Sequence, residues 1–105
     1  MSVIVTLRVS GDPDRLEQVA AEQADVLRGI TERAKGHGII AHRFYGADGQ
    51  IMVVDEWPDP ESFQRFFAAN RDTIGPLMAE IGATDAPDVT FWRELDTHDQ
   101  YGWQA

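Results

Sequence analysis

His42 and Asp55 are the two side chains whose types and spacing make a proton-transfer pair. They flank Asp48-Gly49, a hairpin signal, because a type I′ turn needs positive φ at both central positions. Folding about a two-residue loop there sets His42 opposite Asp55, Phe44 opposite Val53 and Ile40 opposite Trp57. A slip of two in the pairing sum would still leave His42 and Asp55 on one face. Cross-strand neighbours stand about 4.5–5.5 Å apart at Cβ, within reach of an imidazole–carboxylate hydrogen bond. Such a carboxylate orients the imidazole, which can then take a proton from a phenol or enol. The same geometry also describes a structural ion pair that satisfies two buried polar groups. The residues alone leave both open.

Trp57 is the third member of this constellation. Side chains alternate along a strand, so Val53, Asp55 and Trp57 share one face of the run Gln50 to Trp57. The chain then turns through Pro58 and Pro60 into a helix, with Asp59 as cap and Pro60 at the first position, where a missing N–H costs nothing. Phe63, Phe66 and Phe67 fall on one stripe of that helix and need apolar cover. A large aromatic and a carboxylate therefore sit at a strand-to-helix corner. Val53, Phe63, Phe67, Met78 and Phe91 are core residues if the helices lie flat on the sheet, and walls of a ligand pocket if they stand off. The catalytic candidates are His42, Asp55 and Trp57.

These positions need a scaffold. Val3, Val5, Leu7 and Val9 alternate with Ile4, Thr6, Arg8 and Ser10, which predicts a first strand with one apolar face. Asp12 and Pro13 start a helix that carries Leu16, Val19, Ala20, Leu27, Ile30 and Ala34 to a stop at Lys35-Gly36. A second strand runs from about Ile39 to Tyr45, and the third from Gln50 to Trp57. After the Asp59-capped helix, Asn70-Arg71-Asp72 loosens the pattern, and Pro76 restarts a short helix with Leu77, Met78 and Ile81. Asp88 to Leu95 forms the last strand. The order β-α-β-β-α-β predicts an α+β, ferredoxin-like domain: a four-stranded antiparallel sheet with both helical segments on one face. The other face would expose Ile4, Met52, Val54 and Trp92, a surface that a second copy could cover sheet to sheet. A homodimer is the expected assembly. Residues 1–95 make the domain, and 96–105 form a tail with Tyr101 and Trp103.

A net charge of −9 argues against nucleic acid and against anionic membrane surfaces. No apolar run approaches the roughly 20 residues of a bilayer span, and the first residues lack the basic region of a signal peptide. With no cysteine, disulfides and thiolate chemistry are excluded. The expected setting is cytoplasmic. Asp96, His98 and Asp99 lack the rigid spacing of a metal centre, so no metal site is assigned.

The run Val53-Val54-Asp55-Glu56-Trp57, followed by Pro60-Glu61-Ser62-Phe63 within a βαββαβ chain, resembles the antibiotic biosynthesis monooxygenase family, part of the dimeric α/β-barrel superfamily. The resemblance implies a homodimer with a cavity between sheet and helices in each subunit. It implies cofactor-free oxygenation of an aromatic, quinol or polyketide-like molecule, in which the substrate carbanion itself reduces O₂. Haem breakdown and isomerase or signal-processing roles also occur in the superfamily. Anthrone-oxidising members carry an Asn four residues before the strand Trp and a Tyr six after it. This chain keeps Trp57 but has Val53 and Phe63 there, and Leu77 near the place of a family Arg. The Asn and His of haem-degrading members are also missing, since the first strand offers Thr6, Leu7 and Arg8. The alternative is a non-catalytic small-molecule-binding or stress-responsive barrel.

Overall fold

The computed structural model describes residues 1–83 and 85–102. Its elements are β1 (Val3–Ser10), α1 (Pro13–Glu22), α2 (Ala24–Gly36), β2 (Ala41–Ala47), β3 (Gln50–Trp57), α3 (Pro60–Ala69), α4 (Arg71–Glu80) and β4 (Asp88–Trp92). The strands form one antiparallel sheet in the order β2-β3-β1-β4, the ferredoxin-like arrangement. Alternation along β1 puts Val5, Leu7 and Val9 in the core, where they meet Ile51 and Trp57 of β3, Leu16 and Val19 of α1, and Phe63 and Phe66 of α3. Each such side chain stabilises the fold by about 1.5–3 kcal/mol when fully buried.

Four helices stand where two helical segments were expected. The first segment breaks at Gln23, whose φ of −125° and ψ of 45° are not helical. Its amide side chain reaches across to Glu80 Oε2 at 2.9 Å. Periodicity does not sense this break, because the two-turn spacing from Ala20 to Leu27 survives it. The second segment resumes at Arg71, well before Pro76. The Asn70 carbonyl accepts from Thr73 and Ile74 at 3.0 and 2.9 Å and restarts the helix at once, leaving Pro76 inside α4. Asn70 also ties the layer together: its side chain accepts from Arg33 Nε at 2.6 Å and donates to the Phe66 carbonyl at 2.9 Å.

Strand β3 falls on its expected bounds, whereas β2 is shifted towards the turn and β4 stops at Trp92. Trp92 already faces Ile4, one residue from the start of β1, so little partner strand remains. At the hairpin Ala47 faces Gln50, but only Gly49 has a positive φ, 71°; Asp48 does not, which corrects the type I′ expectation. The sheet face away from the helices carries Ile4 (37% exposed), Tyr45 (46%) and Trp92 (53%), beside half-buried Met52 and Val54. Trp92 lies across this face and donates its Nε1–H to Thr6 Oγ1 at 2.8 Å. Among the described residues no helix is long and apolar enough to cross a membrane. The tail is described as far as Gly102, without helix or strand, so the reading of Trp103 lies outside the described residues.

Candidate functional site

The hairpin register places His42 directly opposite Asp55 and Phe44 opposite Val53. His42 Nδ1 and Asp55 Oδ1 are 2.7 Å apart. The second carboxylate oxygen accepts from Trp57 Nε1 at 3.2 Å, so Asp55 joins the imidazole to the indole. Asp55 is buried, with its side chain 7% exposed, while that of His42 is 30% exposed. A carboxylate oxygen accepts, so the tautomer that fits this contact donates from Nδ1, and in the neutral ring that tautomer keeps its lone pair on Nε2. Among the described residues Nε2 has no protein partner.

Trp57 is held with no exposed surface between Phe63 (5.9 Å, edge-on) and Phe66 (5.4 Å, tilted). Helix α3 delivers those rings because its start is fixed: Asp59 Oδ1 accepts from the Ser62 amide at 2.7 Å, and Pro60 opens the first turn. The Ser62 amide and hydroxyl hold the Asp59 carboxyl below its ordinary value of 3.8. Phe67 stacks on Phe63 at 5.6 Å.

Between sheet and helices lies a cavity of about 120 Å³. His42, Asp55, Val53, Phe63, Phe67 and Met78 all line it, together with Phe44, Phe66, Leu77 and aliphatic residues of β1, α2 and α4. Among the described residues, the polar side chains in its lining are those of Thr31, His42 and Asp55. Thr31 Oγ1 donates to the Leu27 carbonyl at 3.2 Å, leaving its lone pairs free to accept. Two candidates stand elsewhere. Trp57 is not in the lining; it sits behind Phe63 and Phe66 and reaches the cavity only through Asp55. Phe91 is 37% exposed and touches Phe63 edge-on at 5.8 Å from outside the lining. A strand period tells which face a ring occupies, not whether a helix stands in front of it.

Sequence reasoning missed Thr31 and Phe44 as wall residues. A threonine within the helical pattern and an aromatic two residues after His42 were the available signals. His37, at the exit of α2, is half-buried with its ring edge-on to Phe66 at 5.8 Å. In the tail, His98 Nε2 lies 3.2 Å from Asp96 Oδ1, while Asp99 accepts from Thr97. Among the described residues no group of three histidine or carboxylate side chains is arranged to hold a metal ion.

A ferredoxin-like sheet roofed by helices, with a cavity between the layers, defines the class of α+β proteins to which this architecture belongs. Its structural neighbours include an antibiotic biosynthesis monooxygenase and candidate members of that family. A Streptomyces coelicolor monooxygenase solved with nanaomycin D aligns over 90% of this chain and 88% of its own, with a TM-score of 0.65 and 14% identity. SnoaB, a cofactor-independent oxygenase of Streptomyces nogalater, aligns over 94% and 98%, with a TM-score of 0.62 and 15% identity. A dimeric ferredoxin-like protein from an uncultured marine organism aligns over 95% and 93%, with a TM-score of 0.64 and 13% identity. At these identities the likeness is one of fold. No protein-family model matches the sequence, and no curated protein does either.

Proposed function

We propose that this chain forms a homodimer, that each cavity takes one small aromatic molecule, and that His42 acts on it as general base in a cofactor-independent monooxygenation. The observation that carries this reading is the linked set Trp57–Asp55–His42, which sets the imidazole beside a cavity whose lining is apolar apart from Thr31, His42 and Asp55. The substrate hydroxyl or activated C–H gives its proton to Nε2. The resulting anion reduces O₂, and a carbon–oxygen bond forms to give a peroxide. One oxygen atom stays on carbon as a carbonyl; the other leaves as water, whose two hydrogens balance the two that the substrate gives up. The substrate supplies every electron. The solved oxygenase and the ligand complex among the structural neighbours favour this class of chemistry. The dimeric neighbour and the exposed apolar residues Ile4 and Trp92 favour the assembly.

The cavity volume sets the size of the ligand. An engineered cavity of about 150 Å³ holds benzene, so about 120 Å³ suits a single ring rather than a fused polyketide. That volume falls short of the roughly 300 Å³ at which pockets for drug-sized ligands begin. This favours a second reading: a non-catalytic barrel that binds a small apolar molecule. Oxygen uptake with single-ring hydroquinones and with anthrones, without added metal or flavin, separates the two. The first reading expects uptake with single-ring substrates, reduced about 10²–10⁴-fold by His42→Ala, while calorimetric binding persists. Binding without uptake selects the second reading. An unchanged rate in His42→Ala removes His42 from the mechanism.

A further inference from the structure

Outside the cavity, an open groove runs between the start of α1 and the β2–β3 hairpin. Leu16, Leu27, Phe44 and Ile51 line both the groove and the cavity, so the two are separated by a wall one side chain thick. Leu16 and Ile51 are buried, 7% and 2% exposed, and belong to the core. Phe44 is 41% exposed and Leu27 half-buried, so they are the part of the wall least enclosed by the core. Phe44 also stands edge-on to His42, with ring centroids 5.0 Å apart, so any ring passing it arrives at the proposed base. The groove itself is pinned. A Cβ on Gly46 would lie 2.7 Å from Pro13 Cβ, so only glycine lets β2 approach the start of α1 this closely.

The groove's charge is one-sided. Asp12, Asp14, Glu17 and Asp48 line it, and among the described residues no basic side chain does. Asp12 serves the helix cap, accepting from the Asp14 amide at 3.0 Å, whereas Glu17 and Asp48 are exposed and have no such structural task among the described residues. We infer that this groove is the mouth of the cavity, that Phe44 is its gate, and that the carboxylate rim selects neutral or cationic single-ring ligands over those bearing a carboxylate. The inference rests on the reading of the cavity as a ligand site, not on turnover. Charges at a rim act chiefly on association, where like charges lower the encounter rate and salt removes the effect.

The test is the on-rate of three probes of equal size, benzyl alcohol, benzoate and benzylammonium, measured by ligand-observed NMR exchange or stopped flow. In the double variant Glu17→Lys/Asp48→Lys, benzoate should gain about tenfold at low ionic strength and about threefold at roughly 0.15 M salt. Benzylammonium should lose as much, and benzyl alcohol should stay unchanged. Phe44→Ala should raise both on- and off-rates for all three probes. If the charged probes ignore the double variant at low salt, or if the rates ignore Phe44→Ala, ligands reach the cavity elsewhere and the inference is overturned. In that case benzyl alcohol still binds and the cavity reading stands. Failure of benzyl alcohol to bind the wild-type protein at all overturns both.

Discussion

Replacing Trp57 by phenylalanine tests the link between the indole and the proposed base most directly. The change removes the donor that Asp55 Oδ2 accepts at 3.2 Å, and it trims a side chain that has no exposed surface. Hydrogen bonds to charged acceptors contribute about 1.5–3 kcal/mol, and at this length the lower end applies, about 1.5 kcal/mol. The lost ring volume, about 40 Å³ at about 24 cal/mol per Å³, adds about 1 kcal/mol if Phe63 and Phe66 do not close over it. Unfolding entropy of about 2.1 cal/mol/K per residue converts the total of about 2.5 kcal/mol into a Tm loss of about 11 °C for a chain of this length. Packing alone could produce part of that loss, so the assay is a double-mutant cycle with Asp55→Leu, read by urea midpoints. Coupling of about 1.5 kcal/mol is expected, and a value below about 0.5 kcal/mol would refute the indole–carboxylate link as an energetic feature. The His42 ring ¹⁵N resonances should also move in Trp57→Phe, because Asp55 then loses one of the two donors that fix its plane. Unmoved resonances would mean that Asp55 orients the imidazole without help.

Three further outcomes follow from the geometry. Val53→Phe should fill the cavity: ring-ligand binding by calorimetry disappears while the urea midpoint holds or rises, whereas a stability loss of about 1–3 kcal/mol would mean that the interior was already solid. Val54→Glu puts a charge on the sheet face away from the helices, so sedimentation should show a wild-type dimer and a monomeric variant; a wild-type monomer would remove the proposed assembly. Asp59 is held below its ordinary value by the Ser62 hydrogen bonds, so its contribution is fully present above 3.8 and fades as pH falls towards the lowered folded-state value. The stability gap between wild type and Asp59→Ala should therefore be constant near neutrality and close in acid; a gap that persists at low pH would show that the carboxylate charge is not what caps α3.

How much of this was readable in the residues depends on the distance over which each signal acts. The His42–Asp55 pairing was legible because the Asp48-Gly49 turn and the period of two fix a register across a few residues. Bounds of β3 and α3 were legible for the same local reason, through Asp59 and Pro60. The break at Gln23 and the early start of α4 were not, since both depend on partners far along the chain or on backbone carbonyls without a residue signature. At the site, alternation assigned Val53, Asp55 and Trp57 to one face, but depth behind that face is set by where α3 comes to rest. That placement puts Trp57 and Phe91 outside the cavity lining and brings Thr31 and Phe44 into it.

The positions of the two titratable residues in the sheet suit the roles proposed for them. Asp55 lies on β3, flanked by β1 and β2, where its side chain is 7% exposed and its two oxygens are engaged by His42 and Trp57. His42 lies on the edge strand β2, with 30% of its side chain exposed, within one side chain of the groove through Phe44. A general base must lose the proton it has taken before it can act again, and an imidazole sealed in the core would have no route for that release. An orienting carboxylate has the opposite need, since its hold on the imidazole weakens as solvent reaches it. Exchanging the two residues would put the base in the interior and the orienting group at the solvent edge. Such a variant could keep the hydrogen bond, but it would lose the path by which the proton leaves.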